Sequence, residues 1–90
     1  MIDIYLFGEL RAFGPQVPLD TDCLVQMPLQ EGDTIVDIVR RLGIDPDRVA
    51  HLFLNYQYSA MTRRVKPGDR LGIFGRDLAL LYRQYFAKQE

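Results

Sequence analysis

Ninety residues, 48% of them hydrophobic and 26% charged, make one globular domain with one modest core and leave no length for a second. No apolar run approaches the roughly 18 residues of a membrane span. Asp3 in "MIDIYLFGEL" stands where a signal peptide would carry basic residues, so a soluble, cytoplasmic protein is expected. The net charge of −1 divides unevenly: residues 1–62 carry nine acids against four arginines, and residues 63–90 carry seven basic residues against three acids. Such segregation can steer a partner into register; it equally describes a solvated turn followed by a solvated helix face.

In chain order, Ile2, Ile4 and Leu6 alternate with Asp3, Tyr5 and Phe7. That is the period of a strand, and its partly apolar second face suits a central one. "GELRAFGP" is too short for a free-standing helix and closes on Gly14-Pro15, so it reads as one helical turn and a loop. Pro15, Pro18, Asp20 and Asp22 punctuate an irregular stretch up to a second strand, "CLVQMPL". Cys23 is the only cysteine, which excludes an internal disulfide and a thiolate metal cluster. With Asp20 and Asp22 close by, an activated nucleophile is not expected there.

The clearest start and stop signals lie in "QEGDTIVDIVRRLGI". Asp33 or Thr34 can cap a helix, and Asp37 follows Thr34 by three residues as in a capping box. Ile35, Ile38, Val39 and Leu42 form one apolar stripe, and Gly43 is placed to end it in the left-handed conformation. Asp37 lies near the positive end of the dipole, Arg40 and Arg41 near the negative end. The spacing predicts one amphipathic helix of about nine residues.

"DPDRVA" reads as a short turn of helix, "HLFLN" as a buried strand, and "NYQYSA" as a turn with a short edge strand. The lone His51 reads as a half-buried or edge residue rather than a ligand. Pro67-Gly68 in "VKPGDRL" marks a tight turn, and "RLGIF" is the last strand, with Leu71 and Ile73 on one face. A first hairpin, a helix laid across it and a return to the sheet describe an α+β β-grasp: a mixed sheet of four to five strands with one main helix. Residues 1–75 make this domain, and residues 76–90 a helical extension of it.

These segments resemble a known family. "IDIYLFGELRAFG" resembles the opening of the small subunit of molybdopterin synthase, "EGDTIVDIVRRLG" its helix, "LFLNYQY" its strand ending in Asn-Gly, and "VKPGDRLGIF" its approach to the last strand. The likeness covers about residues 1–75, and its Gly-Asp approach is shared by all ThiS/MoaD-like sulfur carriers and by TGS domains. Two departures stand out. Asn55-Tyr56 replaces the Asn-Gly turn; a tight primed turn favours Gly, so a longer or differently shaped loop is expected. The terminal Gly-Gly, due near Ala79-Leu80, is absent. The resemblance implies that such carriers are adenylated at a bare Gly-Gly carboxylate, which then becomes a thiocarboxylate. Here Lys88, Gln89 and Glu90 supply none of that slenderness.

Instead "RDLALLYRQYFAKQE" reads as a helix opening at Asp77, with Leu78, Leu81, Tyr82 and Tyr85 on one stripe and Phe86 beside it. Burying three of these side chains is worth about 5 kcal/mol, so something is expected to cover them. Three covers are open: the domain's own sheet, a partner or second copy docked through Leu78, Leu81, Tyr82, Tyr85 and Phe86 with Arg76 and Arg83 setting register, or a removable tail whose loss would expose Gly75.

The expected function is accordingly a non-catalytic protein-interaction or assembly subunit, tied by resemblance to sulfur or molybdenum/tungsten cofactor metabolism. One alternative is a masked sulfur carrier freed by tail removal. Another is a TGS-like RNA-associated module using Arg63, Arg64, Lys66 and Arg70, although nucleic acid is the less favoured partner. No nucleophile–base pair, metal spacing or phosphate loop is legible, so neither an enzyme nor a cofactor is expected.

Overall fold

The computed structural model describes residues 1–78. They form a mixed five-stranded sheet and one α-helix, an α+β arrangement compatible with a β-grasp. The strands are β1 (Ile2–Phe7), β2 (Cys23–Met27), β3 (Val49–Leu54), β4 (Gln57–Tyr58) and β5 (Arg70–Gly75); the helix, α1, is Ile35–Arg41. Short 3-10 turns occupy Gly8–Phe13, Pro46–Arg48 and Arg76–Leu78. The sheet order is β2-β1-β5-β3-β4. β1 and β5 run parallel at its centre, and the other pairings are antiparallel.

Alternation along the strands sorts the side chains onto two faces. Ile2, Ile4 and Leu6 of β1, Leu71 and Ile73 of β5, and Leu52 and Leu54 of β3 point to one side and are buried. Ile35, Ile38 and Val39 of α1 join them in one core, with Cys23, Leu10 and Ile44 filling its ends. Cys23 is thus a small core hydrophobe, its Sγ 3.5 Å from the Pro15 carbonyl. The irregular stretch before β2 is stapled by Arg11, whose guanidinium donates to the Pro18 and Thr21 carbonyls at 3.0 Å each.

Thr34 is the N-cap of α1, and the Asp37 carboxylate accepts both its N–H and its hydroxyl at 2.9 Å. Gly43 has the left-handed φ of 88° that stops the helix. The helix is shorter than predicted, seven residues rather than nine, and β2 ends before Pro28, which cannot donate to a ladder. Arg41 does not merely face the helix C-terminus. It reaches back to buried Asp33 in a two-pronged ion pair, both contacts 2.8 Å. Together with the Gln30 N–H, Arg41 holds the Asp33 carboxyl down from 3.8 to about 2.

One expectation fails outright. The Asn55-Tyr56 connection is neither long nor irregular: Leu54 pairs with Gln57, and the two loop residues turn the chain alone, at φ 51° and 70°. That is a tight two-residue hairpin with no glycine. Asn is the non-glycine residue that tolerates this conformation best, and Asn55 is clamped three ways. Its side chain donates to Asp69 and accepts from the Arg70 N–H, both at 2.9 Å, and its own N–H donates to the Arg70 carbonyl at 2.8 Å. Tyr56 is held beneath the Arg70 guanidinium, 4.4 Å from its ring centroid.

Candidate functional site

The second face of the sheet is aromatic. Tyr5 and Phe7 of β1, Phe74 of β5, His51 and Phe53 of β3, and Tyr58 of β4 fall on it by strand alternation and register. Phe7 and Phe74, directly opposite each other, stack at 4.2 Å and 7° between planes. Phe53 meets Phe74 edge-on at 5.5 Å and lies over Tyr58 at 5.2 Å. His51 hydrogen-bonds the Tyr58 hydroxyl through Nδ1. Gly72, buried between Tyr5 and Phe53 in the register, has Phe7, Phe53 and Phe74 around the place a side chain would take. One end of the face is closed by Arg70, whose guanidinium sits 4.0 Å over the Tyr5 ring. This charge is thereby spent within the domain.

At the opposite end of the sheet the chain leaves β5 through a clasp. Gly75 is buried and still paired in the sheet, opposite Val49. Asp77 then turns back so that its carboxylate accepts the Glu9 N–H, at 3.1 and 3.2 Å from its two oxygens. A side chain at either of two glycines would force the clasp to shift. A Cβ on Gly8, which holds a φ of 66°, would lie 2.5 Å from Asp77 Oδ1, and one on Gly75 would lie 2.7 Å from Glu9 Cγ. Asp77 thus caps the first 3-10 turn; the helix expected to open at Asp77 lies outside the described residues beyond Leu78. Arg76 is exposed and donates to the Asp47 carbonyl at 3.2 Å, tying the same exit to the turn before β3.

Of the residues singled out for partner binding, Arg76 is exposed and Leu78 half-buried, both in the last 3-10 turn. Leu81, Tyr82, Arg83, Tyr85 and Phe86 lie outside the described residues. The basic residues near the Pro67-Gly68 turn separate into two groups. Arg63, Arg64 and Lys66 are exposed around an open concavity of about 300 Å³ that also touches Asn55 and Asp69, whereas Arg70 is engaged by Tyr5 and Tyr56. A second concavity of about 280 Å³ lies beside β3 and β4, bordered by His51, Tyr58, Met61 and Arg76. Among the described residues no three His, Cys, Asp or Glu side chains converge on a metal-sized site, and no helix is long and apolar enough to cross a membrane.

Comparison with protein-family models and with curated proteins returns no match. The aromatic face was the feature that a strand-by-strand reading missed. Its signal was present: period two puts Phe74 opposite in facing to Leu71 and Ile73, and Phe53 opposite to Leu52 and Leu54. Only the register, which joins these rings to Tyr5 and Phe7, turns scattered aromatics into a surface.

Proposed function

We propose that the chain is a β-grasp domain of the ThiS/MoaD-like kind, working as a non-catalytic protein-interaction or assembly subunit rather than as a sulfur carrier. Support for the fold comes from the strand order β2-β1-β5-β3-β4, its parallel central pair, and a single helix between β2 and β3. Support for the kinship is the resemblance over residues 1–75, and with it comes the link to sulfur or molybdenum/tungsten cofactor metabolism.

The observation that carries the functional reading is the condition of Gly75. A carrier delivers its chemistry from glycine backbone that projects free of the fold. Gly75 is the glycine that tail removal would have to expose, and it lies buried within β5, hemmed by Glu9 and clasped from beyond by Asp77. A terminus made there would end inside the sheet. The segment leaving the clasp is instead the element for docking, with Leu78 and Arg76 at its root and Leu81, Tyr82, Tyr85, Phe86 and Arg83 along it. An RNA-associated role draws less support, because Arg70 is held between two tyrosines and three exposed basic residues make a small footprint.

Native-size analysis of the protein in extracts of its own cells tests this reading. The chain should migrate in an assembly larger than itself, and a Leu81→Asp/Tyr85→Asp variant should drop out of that assembly. A wild-type chain that migrates alone under all growth conditions contradicts it.

A further inference from the structure

We infer that the open concavity beside the Pro67-Gly68 turn is a docking site for a short acidic segment of a protein partner. It has a volume of about 300 Å³ and is lined by Leu54, Asn55, Arg63, Arg64, Lys66 and Asp69. Most other cations of the described residues are already engaged. Arg11 staples the loop before β2, Arg41 pairs with Asp33, and Arg48 pairs with Glu9. Arg70 lies against two tyrosines, and Arg76 donates to the Asp47 carbonyl. The side chains of Arg63, Arg64 and Lys66 are exposed and form no hydrogen bond or ion pair among the described residues. Three unengaged cations therefore border one concavity. The carboxylate beside them is occupied: Asp69 accepts the Lys66 N–H at 2.7 Å through one oxygen and the Asn55 side-chain amide at 2.9 Å through the other. Three cations against one anion leave the rim positive.

The backbone beneath these cations is already in place. The Ile35 N–H donates to the Arg63 carbonyl and the Val65 N–H to the Asp33 carbonyl, both at 3.0 Å, which lays this stretch against the start of α1. The Gly68 N–H donates to the Met1 carbonyl at 2.9 Å and pins the turn that follows. Binding then orders side chains but little backbone. Size and lining select the partner. A nucleic-acid site neutralises more phosphates than three cations can meet, and a chain of net charge −1 does not gather a polyanion from a distance. A small-molecule pocket is walled mainly by apolar groups, whereas this lining offers Leu54 against five polar or charged residues. Two or three carboxylates of a short acidic stretch match the charge, and guanidinium forks suit their geometry. Tyr56 follows Asn55 in the chain and is 75% exposed with its ring against Arg70. It adds an aromatic anchor, giving the Tyr and Arg composition of interface hot spots. The inference rests on this concavity and stands whether or not the segment after Leu78 docks on a partner.

The experiment titrates the full chain with an end-blocked Gly-Glu-Glu-Asp-Glu-Gly peptide and, separately, with an oligouridylate of the same charge, following backbone amide shifts. Peptide-induced shifts should cluster at Asn55 and at residues 63–70, and should weaken as salt is raised. An Arg63→Gln/Arg64→Gln variant should bind the peptide about fivefold more weakly, the effect of losing two exposed ion pairs. Its thermal midpoint should not move, since neither side chain has a partner to lose. Arg40→Gln, a change at an exposed cation of α1, should bind as the wild type does. An oligouridylate that binds this surface more tightly than the peptide would overturn the choice of a protein partner. Shifts scattered over the whole surface, or unaltered when both arginines are replaced, would overturn the site.

Discussion

Asp77 and Glu9 are 68 positions apart in sequence, yet the carboxylate of one accepts the backbone N–H of the other. This contact, with Arg76 on the Asp47 carbonyl, ties down the chain as it leaves its last strand. Asp77→Ala should cost about 1 kcal/mol, the ordinary worth of such a hydrogen bond. Gly8→Ala should cost more, since it adds a strained φ to a Cβ placed 2.5 Å from Asp77 Oδ1. Because that clash needs Asp77, the double variant should be less destabilised than the sum of the two. Urea unfolding of the four proteins measures this coupling.

The Asn55-Tyr56 hairpin makes opposite demands at its two positions. Asn55→Ala removes two side-chain hydrogen bonds and the tolerance of a positive φ, and should cost about 2 kcal/mol. Tyr56→Gly relieves a strained φ but loses the stack with Arg70, two effects of about 1 kcal/mol each. It should leave the thermal midpoint almost unchanged.

Acid stability should report the Asp33–Arg41 pair. The Asp33 carboxyl is lowered from 3.8 to about 2, first by Arg41 and then by the Gln30 N–H. A depressed carboxyl contributes stability that is complete above its unfolded value and is lost as pH falls through the folded one. Stability should therefore decline between about pH 4 and pH 2. Asp37, lowered in the same direction by the Thr34 N–H and hydroxyl, adds to that slope. In Arg41→Gln the slope should be shallower, which unfolding measured across that pH range would detect.

The stack of Phe7 on Phe74 links the two parallel central strands on the face away from the core. Phe74→Ala should cost about 3 kcal/mol, with about 1 kcal/mol of it shared with Phe7 through the aromatic pair. Double-mutant unfolding cycles with Phe7→Ala would show the coupling. Leu19, 92% exposed, provides the contrast, since its replacement by Ala should be neutral.

What the sequence made legible was whatever local chemistry decides. The alternation of Ile2, Ile4 and Leu6, the Thr34–Asp37 box, the Gly43 stop and the Pro67-Gly68 turn each carry their structure within a few residues. The failed expectation and the contacts that were not legible depend on partners distant in sequence. Asn55-Tyr56 turns tightly because Asp69 and Arg70 brace it. Arg41 lies in the last turn of α1 as the sequence indicates, but its pairing with Asp33 and the Asp77–Glu9 contact are not written in any local window. The aromatic face depends on sheet register, which no window of a single strand contains.

The most direct measurement is the intact mass of the untagged protein isolated from its native cells. A clasped and buried Gly75 predicts a single species continuing through Glu90 in every growth condition. A species ending at Gly75, above all one heavier by the difference between a sulfur and an oxygen atom, would contradict the account and make this chain a carrier.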